Sequence, residues 1–122
     1  MLTGGNVTIY VSDMTEAVRF YTEVLGLKLR ERYGDHWASV DAGNGLTIGL
    51  HPATPQVPAG RPGSMAIGFE ATQPIAEVVR ALTSKGVKFA EAGTDKVGAF
   101  AHFTDPDGNP CYLFQLKAEY TR

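Results

Sequence analysis

Few side chains in this 122-residue chain could carry acid–base, nucleophilic or metal chemistry: three histidines (His36, His51, His102), one cysteine (Cys111) and the acidic pair Asp105 and Asp107. The histidines fall in three separate segments with no i, i+2 or i, i+4 pair, so separate hydrogen-bonding roles are favoured over a metal trio. His51 stands apart from the other two. It lies two residues from Gly49, on the same strand face, where it can contact a ligand or serve as a general base titrating near neutrality. Cys111, between Pro110 and Tyr112, has no adjacent basic activator and reads as a packed thiol. Asp105 and Asp107 belong to Asp105-Pro106-Asp107-Gly108-Asn109, a turn in which carboxylates cap backbone N–H groups. Trp37, the single tryptophan, follows the Gly34-Asp35 turn, where it can stack on a flat ligand or fill a core or dimer interface. Neither a glycine-rich phosphate loop nor a Gly-x-Ser-x-Gly elbow is present.

Composition narrows the function classes. The length suits one domain. Hydrophobic residues make up 43% and charged residues 20%, as in a folded globular protein. A formal net charge of −2, with no basic stripe, argues against nucleic acid as a partner. One cysteine excludes an internal disulfide framework and a four-cysteine zinc site. No long apolar run and no leader-like start are visible, so a cytoplasmic protein without a membrane partner is expected.

The elements that must position these groups follow from periodicity. Asn6–Val11 reads as a strand. Ser12-Asp13 cap a helix over about 14–25, with Glu16 as capping-box partner, Met14, Ala17, Val18, Tyr21, Val24 and Leu25 as its apolar stripe and Gly26 as its stop. Strands are predicted at 27–33, 36–42 and 46–51, separated by Gly34-Asp35 and Gly43-Asn44-Gly45. Residues 53–63, rich in proline, read as a linker. The order then repeats: a strand over 64–71, a helix with Pro74 at its first position and Ile75, Val78, Val79 and Leu82 inward, and strands at 87–90, 99–104 and 110–117. Glu16-Ala17-Val18-Arg19-Phe20 aligns with Glu77-Val78-Val79-Arg80-Ala81, and Gly26-Leu27-Lys28-Leu29 with Gly86-Val87-Lys88-Phe89. The chain therefore reads as two α+β modules of one kind, residues 1–52 and 64–122, in a single domain.

Two motifs carry a resemblance: Val11-Ser12-Asp13-Met14 running into Ala17–Leu27, and Phe103-Thr104-Asp105-Pro106-Asp107-Gly108-Asn109-Pro110. On duplicated modules, in this order, they resemble the vicinal oxygen chelate superfamily, the glyoxalase/bleomycin resistance/dioxygenase proteins. The resemblance implies tandem βαβββ modules whose mixed sheet curls into a cup, completed in a homodimer. Enzymes of the superfamily hold a divalent metal through His or Glu from the first and last strand of each module. Carried over, those positions fall on Asn6, Gly49, Met65 and Tyr112, none of which is a normal ligand for such an ion. No metal or other cofactor is therefore expected.

Alternation along the strands then gives the lining of the cup. The expected ligand-binding residues are Thr8, Tyr10, Trp37, Gly49, His51, Met65, Ile67, Phe69, Tyr112 and Phe114. The implied function is binding of a small molecule, an antibiotic or another aromatic ligand, as in the bleomycin-resistance branch. The alternative is a lyase, isomerase or dioxygenase acting on a small oxygenated substrate.

Overall fold

The structure, a computed structural model, describes residues 1, 3, 5–60 and 65–120. The chain divides into two compact units, Met1–Pro62 with Pro106–Asn109, and Gly63–Asp105 with Pro110–Arg122. Among the described residues each holds one four-stranded mixed sheet and one α-helix, so the α+β class and the paired βαβββ modules are those the sequence implies.

In the first unit β1 (Val7–Val11) leads into α1 (Met14–Arg19), followed by β2 (Lys28–Tyr33), β3 (Trp37–Gly43) and β4 (Leu46–Pro52). The sheet order is β1-β4-β3-β2, with β1 parallel to β4 and the other pairs antiparallel. Asp13, in extended conformation, accepts the Glu16 N–H at 3.0 Å and starts the helix as expected. The buried stripe Met14, Ala17, Val18 covers Val40, Ile48 and Leu50, which have no exposed surface. The helix does not continue as one α-helix to residue 25. Phe20–Val24 is a π-turn in which the Leu25 N–H reaches the Phe20 carbonyl at 2.9 Å. The Thr22 hydroxyl donates to the Val18 carbonyl at 2.6 Å, on the acceptor an α-helical N–H would use, and this favours the wider turn. Asp107 does cap a backbone N–H, but a remote one: its carboxylate accepts from the Ser12 N–H at 3.1 Å and from the Ser12 hydroxyl.

In the second unit β5 (Ile67–Glu70), α2 (Ile75–Ser84), β6 (Phe89–Thr94), β7 (Gly98–Thr104) and β8 (Pro110–Leu116) form a sheet ordered β5-β8-β7-β6. The predicted start of β5 at Ser64 lies outside the described residues. The strand predicted at 87–90 runs instead to Thr94, because pairing with β7 outweighs the poor intrinsic preference of Glu91-Ala92-Gly93. Pro74 is the N-cap of α2 rather than its first helical residue, and it has no side-chain cap to give. Gln115 of β8 does that work: its Oε1 accepts the Ile75 N–H at 3.2 Å and its Nε2 donates to the Gln73 carbonyl at 2.8 Å. Cys111 is fully buried with Leu113 on the helix-covered face. No described helix is long and apolar enough to cross a membrane.

Candidate functional site

Register decides which side chains share a face. In the first unit Thr8 pairs with Gly49, Tyr10 with His51 and Ser39 with Gly49. Thr8, Tyr10, Gly49 and His51 therefore stand together on the face away from α1, and Trp37, two residues before Ser39, joins them. A side chain at Gly49 would run into the Trp37 indole, so the missing Cβ is what lets that ring lie over β4. The Tyr10 and His51 rings are 5.0 Å apart. His51 Nδ1 is 2.8 Å from the Pro52 carbonyl, which can only accept, so Nδ1 donates to it and Nε2 is the acceptor of a neutral ring. Trp37 also walls a hollow of about 360 Å³ with Gly5, Asn6, Arg30, Glu31, Ser39 and Thr47. Thr8, Tyr10 and His51 share the face but do not line the hollow.

In the second unit the register corrects the sequence reading by one residue. Ile67 pairs with Cys111, Gly68 with Tyr112, Phe69 with Leu113 and Glu70 with Phe114. Ile67 and Phe69 thus belong to the face under α2, and Met65, 69% exposed, precedes the strand. Gly68 and Glu70, not Met65, Ile67 and Phe69, share the open face with Tyr112 and Phe114. The reason is steric: a Cβ on residue 68 would sit 2.5 Å from Tyr112 Cζ, so the ring needs glycine beneath it.

Tyr112 and Phe114 do come together, and they are joined by two residues outside the expected lining, one unremarked and one weighed only as a metal ligand. Phe100 and His102 alternate outward on β7, and the ring centroids run Phe100–His102 at 5.4 Å, His102–Tyr112 at 5.5 Å and Tyr112–Phe114 at 6.0 Å. The four rings line an open hollow of about 600 Å³ together with Glu91, Asp95, Val97, Gly98, Ala99 and Leu116. The period-2 rule applied to Ala99–Thr104 separates Phe100 and His102 from Ala101 and Phe103, so the signal was there to read. The lining has two carboxylates and no Lys or Arg. The backbone N–H groups of Gly98 and Val97 hold the Asp95 carboxyl below its ordinary range, with a smaller contribution from nearby Lys117. His36 lies apart from both hollows, in the turn where its N–H bonds the Tyr33 carbonyl.

Residues 5–111 match the profile of the Glyoxalase/Bleomycin resistance protein/Dioxygenase superfamily. The chain belongs to this superfamily. An antibiotic binding protein, TnmS3 from Streptomyces sp. CB03234, is similar at TM-score 0.79 and 26% identity, covering 96% of this chain and 98% of its own. A glyoxalase/bleomycin resistance protein from the same Streptomyces strain is similar at TM-score 0.74 and 28% identity, covering 93% and 100%. Virulence protein STM3117 of Salmonella typhimurium is 28% identical over 85% of this chain and 77% of its own length.

Membership of the glyoxalase/bleomycin resistance superfamily raises the question of a metal, and the residues present do not fit one. Asn6 is exposed and its Oδ1 accepts the Thr8 hydroxyl at 3.0 Å. Gly49 offers no donor and lies beneath an indole. The Tyr112 phenol is folded over Gly68. Because Thr8–Gly49 and Gly68–Tyr112 are corresponding pairs, the counterpart of Asn6 is Ala66 rather than Met65, and neither is a ligand for a hard cation. Among the described residues no group of three or more His, Cys, Asp or Glu could hold a metal ion.

Proposed function

We propose that this protein binds a planar aromatic small molecule, such as an antibiotic, in the cavity of its second unit, and holds it without a metal. The observation that carries the reading is the row of four rings, Phe100, His102, Tyr112 and Phe114, along a cavity whose volume falls in the range for drug-sized ligands. Each ring face covered by ligand removes apolar area from water at about 25 cal/mol per Å². Offset stacking adds about 0.5–1.5 kcal/mol per pair. Glu91 and Asp95 favour a ligand with a positive group. Similarity to a Streptomyces antibiotic binding protein supports the same class of ligand. The protein acts as a cytoplasmic homodimer, in which each small core gains from surface buried against a second copy; light scattering at micromolar concentration tests the stoichiometry.

The deciding experiment is a thermal-shift and calorimetric titration with water-soluble anthraquinones and acridines, alongside polycyclic antibiotics. Saturable stabilisation is expected. Tyr112→Ala should weaken binding by about ten-fold or more while leaving the fold intact, as loss of an aromatic anchor does. An absence of stabilisation by every compound, or a Tyr112→Ala variant that binds as well as the parent, overturns the reading.

A further inference from the structure

The first unit has its own hollow, and its chemistry is of another kind. We propose that it is a second binding site, for a neutral, hydroxyl-rich ring of pyranose size. About 360 Å³ admits one sugar ring with its waters and is small for a polycyclic system. One wall is the Trp37 indole, and its placement is fixed: Gly49 beneath it leaves no room for another side chain, so β4 is shaped around the ring. Indole faces pack on the C–H face of a sugar as they do on other apolar surfaces.

The remaining wall is polar and mixed in function. Arg30 supplies donors only, Glu31 acceptors only, and Asn6, Ser39 and Thr47 both. Vicinal hydroxyls need just such pairing, since each donates once and accepts twice. Arg30 sits at a register shift between Leu29 and Glu31, a bulge of the kind that re-aims a side chain. One of its N–H groups donates to the Thr47 hydroxyl at 3.3 Å, and no described carboxylate pairs with it, so further N–H donors remain for a ligand. Arg30 and Glu31 balance in charge, which distinguishes the hollow from an anion or a cation site. The inference stands whether or not the second unit binds aromatics.

Trp37 is the only tryptophan, so its fluorescence reports this hollow alone. The probes are methyl pyranosides of gluco, galacto, manno and rhamno configuration, and the corresponding reducing sugars, titrated from millimolar to tenth-molar under excitation selective for indole. A saturable shift in emission with at least one sugar is expected, weakened about ten-fold in Arg30→Met, which keeps the aliphatic stem but loses hydrogen bonds from a charged donor. Glu31→Gln should weaken it as well, and circular dichroism of both variants checks the fold. Methyl glycosides that bind as well as reducing sugars assign the site to a terminal sugar of a larger molecule; reducing sugars binding alone assign it to the free sugar. A response that never saturates, one unchanged in Arg30→Met, or one given only by phosphate or sulfate overturns the proposal.

Discussion

The two units place their hollows on corresponding faces and seat a ring over a glycine in different ways. In the first, glycine stands on β4 (Gly49) and the ring comes from β3 (Trp37). In the second, glycine stands on β5 (Gly68) and the ring comes from β8 (Tyr112). The matching pairs, Thr8 with Gly49 and Gly68 with Tyr112, show that the same two ladder positions have exchanged their small and large residues. A duplicated module can thus keep its backbone and change which strand carries the glycine, while β3 and β7 both supply rings, Trp37 in one unit and Phe100 with His102 in the other. The first hollow is then rimmed by hydroxyls and one balanced pair of charges, the second by rings and two carboxylates.

The largest test of this difference is to fill the glycines. Gly49→Val should displace Trp37, shift its emission and destabilise the first unit by about 1–3 kcal/mol, the usual result of overpacking; denaturant melts report it. Gly68→Val should act equally on Tyr112 yet leave the Trp37 signal unchanged. If both variants perturb Trp37 alike, the two supports are not independent.

A second contrast lies in how the helices begin, and its effects are smaller. Gln115→Ala removes two hydrogen bonds at the start of α2 and should lower stability by about 1–2 kcal/mol. Asp13→Ala removes one local cap from α1 and should cost about 1 kcal/mol. Urea unfolding of the two variants ranks them, and a larger loss in Asp13→Ala would contradict the structural reading.

The smallest effect concerns Asp95. Hydrogen bonds from Gly98 and Val97 lower its folded pKa relative to the ordinary value of 3.8. Its contribution is therefore complete above that value and is lost as the pH falls through the lower, folded pKa. Full exposure keeps the contribution small. Asp95→Asn should melt slightly below the parent at neutral pH, with the gap closing in acid; a gap that widens in acid refutes the assigned direction.

Much of this was legible in the chain. Alternation in Val7–Val11 and Leu46–Pro52 set the correct face for Thr8, Tyr10, Gly49 and His51, because aliphatic residues (Val7, Ile9, Val11; Leu46, Ile48, Leu50) hold one side of each strand. Alternation was misread at β5, where Gly and Ala flank Ile67 and Glu70, at the very end of the strand, is the one polar residue that marks the outward face; a one-residue slip then exchanged Gly68 and Glu70 for Ile67 and Phe69. The π-turn was hidden because it depends on a threonine hydroxyl competing for a carbonyl, which the apolar stripe does not record. His102 was weighed as a potential metal ligand and set aside, whereas its place is a π-surface between two other rings.

Gln115 also bears on the order in which the chain can fold. The helix of the first unit carries its cap within its own sequence and can begin as soon as residues 13–24 are available. The helix of the second unit waits for a side chain forty positions further on, at the end of the last strand. Until β8 has paired, the Ile75 N–H has water rather than Gln115 as its partner, so the cap of α2 arrives only with the last strand.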